Sequence, residues 1–377
     1  MNRRKFLETM NYSVAALMAS QLFHLNCRGD NVDKQITTKN WAWLQSIFDY
    51  DTDESIYSFL SKLKSNGIDA VLPQIYNSTE ALFDTDRLPV RKPLLQKIIK
   101  HAKKLEMEVH AWMWMMPCNI KSIQEQHPQW FAVNGRGEST LDAPAYVDYY
   151  KFMCPNQPGV REFLKKNIEE VAKYQDLDGI HFDYIRFPDV ILAKNLQPKY
   201  GIVQDREYPQ YDYCYCDVCR EKFESKTGID PMNLDDPSKN QEWLKFRFDS
   251  ITSLVKDVLV PAAKISNKHV SAAVFPNWKH VRQEWWKWGL DSVMPMLYHR
   301  FYDEGIDWIQ DNIKYGLKVL PQSTSLYSGL EVGAFSPQEL ALAIEKSVEA
   351  GAKGVTFFNG SAMTDEHWSA VSELLLR

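Results

Sequence analysis

The sequence predicts a closed (β/α)8 barrel of the TIM type, an α/β fold with long loop excursions after its third and fourth strands. Three observations point there. Eight short apolar runs alternate with helical patterns along the chain, and such alternation implies a parallel sheet crossed by helices. Several runs end alike: Val71-Leu-Pro-Gln-Ile-Tyr76, Val293-Met-Pro-Met-Leu-Tyr298 and Val319-Leu-Pro-Gln-Ser-Thr324, with Val274-Phe-Pro-Asn277 a looser version. Proline is tolerated at strand ends rather than inside a ladder, so these are read as ends on one rim. Finally, residues 178–188 read Asp-Gly-Ile-His-Phe-Asp-Tyr-Ile-Arg-Phe-Pro. That is the pattern of a buried parallel strand emerging at a C-terminal rim.

The first 27 residues read as an export signal. Asn2-Arg3-Arg4-Lys5-Phe6-Leu7 resembles a twin-arginine signal, and the apolar stretch from Tyr12 to Phe23 is too short and weak for a membrane span. Cys27 stands where a lipoprotein cysteine would, although His24 and Asn26 are unusual before one. Residues 28–39 are a polar linker, and residues 40–377 the barrel domain. An exported protein is expected, periplasmic or held at a membrane only by a lipid on Cys27.

Strands are expected at 41–44, 70–76, 108–115, 179–186, 270–278, 292–298, 318–323 and 353–358. Apolar residues spaced for one helical face mark 54–65, 94–105, 161–174, 241–265 and 338–349 as helices. Ser336-Pro337-Gln338-Glu339 combines an N-cap, a proline at the first helical position and a capping-box glutamate. Residues 116–157 and 189–242 interrupt the spacing, the second expected as an inserted loop subdomain. Both leave from the C-terminal face, where loops of this fold build sites.

With Cys27 lipidated, Cys118, Cys154, Cys214, Cys216 and Cys219 remain, an odd number that cannot all pair. Cys214, Cys216 and Cys219 offer three thiolates to a structural zinc, for which the sequence nominates no fourth ligand. A disulfide or reduced thiols are the alternatives. The expected chemistry requires no cofactor.

A net charge of −5 leaves no basic excess to neutralise phosphates, so no nucleic-acid partner is expected. Twelve Trp and eighteen Tyr suit a carbohydrate substrate, whose C–H faces stack on aromatic rings. Asp183 lies in the C-terminal half of the fourth strand with His181 on the same side, two residues earlier. Tyr184 and Arg186 follow, to orient it or bind hydroxyls. On the third strand His110, Trp112 and Trp114 alternate in one direction, as a sugar subsite requires. The strand-end pattern adds Gln74, Tyr76, Asn277, Tyr298 and Gln322 to the rim, joined by Asn359 after the last strand. The bland alternatives are a structural Asp183–Arg186 pair, core tryptophans and rim amides satisfied by their neighbours. A glycosidase also needs a second carboxylate, about 5 to 9.5 Å from the first. Asp303 and Glu304, after the sixth strand, are the first choice, with Asp189, Glu138 and Asp142 as rivals. The chain has no Gly-x-Ser-x-Gly elbow, phosphate loop or His-Glu-x-x-His.

At these residues the chain resembles the bacterial glycosyl-hydrolase-like 10 family. The matching elements are Cys154-Pro-Asn156 with the helix after it, the 178–188 motif, and Asp291-Ser-Val-Met-Pro-Met-Leu-Tyr298. The resemblance implies a TIM barrel acting on carbohydrate, with Asp183 as the residue to carry across. It does not name the acid/base partner. The chitinase signature Asp-Gly-x-Asp-x-Asp-x-Glu overlays on Asp178, Gly179, His181, Asp183 and Ile185, so isoleucine stands where that acid would be. A chitinase-type assisted mechanism on this strand is therefore not expected. The sequence leads to a glycoside hydrolase acting on a polysaccharide or glycoconjugate, with Asp183 as nucleophile or base. The alternative is a carbohydrate-binding barrel without hydrolysis; a lyase or transglycosylase would use the same cleft.

Overall fold

A computed structural model describes residues 38–45 and 47–376. The predicted export signal, Cys27 and the linker up to residue 37 lie outside the described residues. The chain runs β1 (Trp41–Leu44), α1 (Asp53–Ser65), β2 (Ala70–Tyr76), α2 (Leu95–Lys104), β3 (Glu108–Trp114), α3 (Lys121–Gln126), α4 (Pro158–Ala172) and β4 (Gly179–Asp183). It continues through α5 (Asp217–Thr227) and α6 (Gln241–Leu254), which passes through a π turn at Val255–Leu259 into α7 (Val260–Lys264). Then come β5 (His269–Val274), β6 (Ser292–Pro295), α8 (Ile306–Val319), β7 (Ser325–Leu326), β8 (Ser328–Glu331), α9 (Pro337–Glu349), β9 (Val355–Phe358) and α10 (Asp365–Leu375). The predicted capping box is present: Ser336 accepts from the Glu339 N–H and Glu339 answers to the Ser336 N–H.

Every strand pair is parallel, in the order β7-β6-β5-β4-β3-β2-β1-β9-β8. β7 and β8 are two halves of one stave. β7 pairs with β6 and β8 with β9, while Tyr327 between them donates its N–H to Val293 O. A bridge from Met296 to Gly329 closes the ring, giving a (β/α)8 barrel. Glycine is needed at that seam, because a Cβ at Gly329 would stand 2.5 Å from Pro295 O and 3.0 Å from the Trp43 ring.

The stave itself departs from the sequence expectation. Residues 318–323 close α8 and the turn after it, and the strand begins at Ser325. Ile309, Ile313 and Gly316 form the buried face of α8, and Val319-Leu320 extends that helical run rather than starting a new one. Pro321 then ends it. Gln322 is consequently exposed in the turn before β7, at the opposite end of the barrel from the rim.

The N-terminal ends are pinned by a repeated device. The residue before β2, β4 and β6 is an aspartate that accepts a backbone N–H at the start of the neighbouring stave. Asp69 takes Asn40 N at 2.9 Å, Asp178 takes Val109 N at 2.8 Å, and Asp291 takes Val270 N at 2.8 Å. Because a one-residue slip would turn every inward side chain outward, such pins fix what faces the interior. The interior holds Trp41, Trp43, Leu72, Trp112, Ala273, Met294 and Tyr327. A larger apolar layer lies between staves and helices. No helix among the described residues is long and apolar enough to cross a membrane.

Candidate active site

The C-terminal mouth of the barrel opens into a cavity of about 360 Å³. Its floor is set by inward side chains at stave ends, among them Trp43, Trp112, Met296 and Phe358. The loop after β3 contributes Tyr146, Tyr149 and Tyr150, the loop after β4 contributes Leu196 and Tyr200, and the loop after β6 contributes Tyr298 and Tyr302. Thirteen of its 23 lining residues are aromatic, so what enters meets flat apolar faces interrupted by phenolic hydroxyls.

Asp183 is the acid at the centre of this mouth. It ends β4, because Tyr184 turns to φ +54° and leaves the ladder. The carboxylate is only 6% exposed. One oxygen accepts the Tyr184 N–H at 2.6 Å and the other the Trp112 indole N–H at 3.1 Å. Burial pushes the carboxyl up to about 6, against the pull of the Tyr184 N–H, the Arg186 charge and Trp112. Arg186 does not pair with Asp183. Its guanidinium lies 2.8 Å from Asp189, donates to the Tyr150 hydroxyl at 3.1 Å, and lies over the Phe275 and Tyr184 rings. Asp189 is thereby neutralised although it too lines the cavity.

His181 lies one layer below, wholly buried. Its Nε2 accepts the Trp43 indole N–H at 2.9 Å and its Nδ1 lies 2.8 Å from Ser271 Oγ. Burial, then His110 and His269, pushes its pKa down, so the ring stays neutral and holds Trp43 in the floor. His110 is deeper still, bonded to Glu108 near the N-terminal end. Gly179 makes room for it, since a Cβ there would stand 2.1 Å from its Nδ1.

Of the residues singled out in the sequence, Trp112, Trp114, Asp183, Tyr184, Arg186 and Tyr298 are brought together on the cavity wall. Others are placed elsewhere. Gln74 is buried beside Trp112 on the neighbouring stave, off the wall, with its Nε2 unpartnered among the described residues. Tyr76 follows a register shift in β2 that turns it into the outer apolar layer. Asn277 bonds to His280, and Asn359 caps the short turn after β9 by accepting the Ser361 N–H. Asp303 and Glu304 stand exposed in the loop after β6, Asp303 paired with Lys194 at 2.7 Å. Neither lines the cavity. Glu138 bonds to Asn134 in the first excursion, and Asp142 is exposed there.

Sequence reasoning missed Glu331, at the C-terminal end of β8. Tyr327 is in the barrel interior, a Cβ at Gly329 would meet Trp43, and alternation puts Glu331 on the same inner face. Burial raises its carboxyl above the ordinary range with nothing to offset it. Tyr298 lies within the field of both Asp183 and Glu331, which add to burial in pushing its phenol up. Tyr298 also stacks on Phe358, the register partner of Glu331, at 5.7 Å. The signal was an acid closing the alternating run Leu326 to Glu331, hidden once the strand was placed at 318–323.

A family model described as glycosyl hydrolase-like 10 matches residues 37–336. The chain belongs to that family. The glycosyl hydrolase YngK of Bacillus subtilis (strain 168) is 23% identical over 249 residues, 60% of this chain and 40% of YngK. An S-layer-related protein of Niallia circulans is 21% identical over 328 residues, 74% of this chain and 18% of that protein. This glycosyl hydrolase-like 10 chain thus spans less than half the length of either relative. Among solved structures, the glycoside hydrolase domain of PgaB (BpsB) from Bordetella bronchiseptica is 14% identical, with TM-score 0.66 over 90% of this chain and 98% of that one. The catalytic domain of a beta-amylase from Paenibacillus polymyxa is 11% identical, with TM-score 0.61 over 90% and 98%. Likeness at that identity establishes the shared barrel.

Proposed function

We propose that the protein is a glycoside hydrolase that cleaves a polysaccharide or glycoconjugate in the aromatic cavity, with Asp183 as its principal catalytic carboxylate. One observation supports this most: a carboxyl 6% exposed, in an aromatic cavity, pushed up to about 6 and paired with no cation. Such a group keeps its proton into mildly acidic solution and can give it to the leaving glycosidic oxygen as the C–O bond breaks. Trp112 and the Tyr184 N–H hold both oxygens, so the donor enters the reaction already oriented.

Glu331 is the partner carboxylate in this proposal: it is not on the cavity wall itself but is the register partner of Phe358, which is, and its charge is felt at Tyr298. It takes a proton from the attacking water or attacks the anomeric carbon itself, and the anomer of the product distinguishes the two. The Trp114 ring lines the cavity, its indole N–H buried and unpartnered among the described residues. Trp43, Trp112 and Tyr298 offer stacking faces. The twin-arginine-like segment and Cys27 support an exported protein, periplasmic or lipid-anchored, that meets its glycan outside the cytoplasm.

A non-hydrolytic glycan-binding barrel is the second reading. It draws on the cavity wall, whose only acids are Asp183 and the Arg186-bound Asp189. Sugar release from a panel of polysaccharides and glycopeptides, measured with the wild type and Asp183→Asn, separates the two. Hydrolysis predicts release that falls by about 10²-fold or more in the variant. Binding without release, equal in both proteins, contradicts it.

A further inference from the structure

We propose that Cys154, Cys214, Cys216 and Cys219 bind one structural zinc ion that staples together the two long excursions of the cavity wall. The fold supplies the fourth ligand that the cysteine spacing left open. Cys154 comes from the excursion between β3 and α4, the other three from the excursion between β4 and α6. Their four sulfurs all lie within 4.8 Å of one another, and all four residues are buried. Cys154 Sγ is 3.4 Å from Cys219 Sγ and 3.5 Å from Cys216 Sγ. A tetrahedral zinc with Zn–S bonds of about 2.3 Å holds its sulfurs roughly 3.8 Å apart. The shortest observed separation, 3.4 Å, and the upper bound of 4.8 Å bracket that value.

The surroundings suit thiolates. Val133 N–H reaches Cys214 Sγ at 3.4 Å, Asn156 N–H reaches Cys154 Sγ at 3.4 Å, and the Asn156 side-chain amide reaches Cys219 Sγ at 3.3 Å. Donors of this kind orient and stabilise metal-bound sulfur. Asn156 is itself buried and held by Ser250 at 2.8 Å. Cys216 caps α5 and Cys219 lies in its first turn, where the helix dipole favours negative sulfur. Cys118, the remaining described cysteine, stands outside the group.

Four protein ligands leave no open position, so the ion is structural and takes no part in glycan chemistry. Binding releases the four thiol protons. Its work is to join the loop carrying Tyr149 and Tyr150 to the loop carrying Tyr200. It would reinforce direct joins between these excursions, among them the Tyr215 N–H to Val133 O bond, the Gly135 N–H bonds to Pro209 O and Asp212 O, and the Asn134–Tyr213 bridge.

The test is elemental analysis of the full chain purified without chelators, together with its thermal unfolding. The proposal expects one zinc per chain, a melting temperature lowered by a strong chelator, and its recovery on adding zinc. Cys154→Ser and Cys216→Ser should lose equimolar zinc, whereas Cys118→Ser should keep it. Should the serine variants fail to fold, cobalt loaded into the chelator-treated wild type should give the intense visible absorption of a tetrahedral tetrathiolate. Purified protein without zinc, iron in its place, disulfides among the four, or full zinc in both variants would each overturn the proposal. None of these readouts depends on hydrolysis.

Discussion

The two ends of the barrel treat their carboxylates in opposite ways. At the N-terminal end Asp178, Asp291 and Glu108 each have a cation together with a backbone donor or an imidazole. Asp178 holds Lys103 and the Val109 N–H, and Asp291 holds Lys264 and the Val270 N–H. Glu108 holds His110 and Lys39, and those partners bring its carboxyl down to about 2. Burial pushes Asp291 up, but Lys264 and the Val270 N–H more than offset it and leave it low. At the C-terminal mouth Asp183 and Glu331 lack a cation and are raised by burial. One end uses acids to fix register. The other holds acids whose charged forms burial disfavours, as the proposed catalytic role of Asp183 requires.

Breaking the mouth should have the largest effect on turnover. Glu331→Gln is expected to lower release of the responsive glycan by about 10²-fold, as read from initial rates, and to unfold no earlier than the wild type at neutral pH, since it removes a carboxylate that burial disfavours. Trp112→Phe should cost roughly tenfold in rate. By removing one donor from the Asp183 carboxylate it also raises that group's pKa, so the alkaline limb of the pH–rate profile moves to higher pH. At the other end the effects reverse. Asp291→Asn should destabilise by about 1–2 kcal/mol in denaturant unfolding, through the loss of a charge-assisted bond, with rate unchanged. Asp303→Asn should have the smallest effect, with denaturant unfolding and sugar release both indistinguishable from the wild type, because its pair with Lys194 is exposed.

Much of this contrast was legible in the chain. The alternation Gly179-Ile-His-Phe-Asp183 identifies a buried stave ending in an acid, and His110-x-Trp112-x-Trp114 identifies its neighbour. Depth was not legible. Alternation tells which face a side chain takes, but His110, His181 and Asp183 share one face and lie at different levels, and only Asp183 reaches the cavity. Gly179, which lets His110 sit deep, carries no sign of that role in the sequence. The repeated Val-x-Pro pattern misled at 319–321, because three apolar residues before a proline end a helix as readily as a strand. That single misplacement hid Glu331, while the acid chosen from the sequence, Asp303, is exposed and off the cavity wall. The proposed zinc ligands divided similarly. Cys214, Cys216 and Cys219 announce themselves by spacing, whereas Cys154 is 60 residues earlier and joins them only through the packing of two excursions.

Thermal unfolding of the wild type and Asp183→Asn across pH 4 to 8 tests most directly whether the mouth acid is held protonated at a cost to stability. A carboxyl raised in the fold to about 6, against about 3.9 unfolded, favours folding while it keeps its proton. That contribution is complete below about pH 4 and is lost as pH rises through about 6. The variant, which has no proton to lose, should gain on the wild type by about 2–3 kcal/mol between pH 4 and pH 8. Parallel profiles over that range would show that Asp183 ionises as it does in water, and would contradict the account.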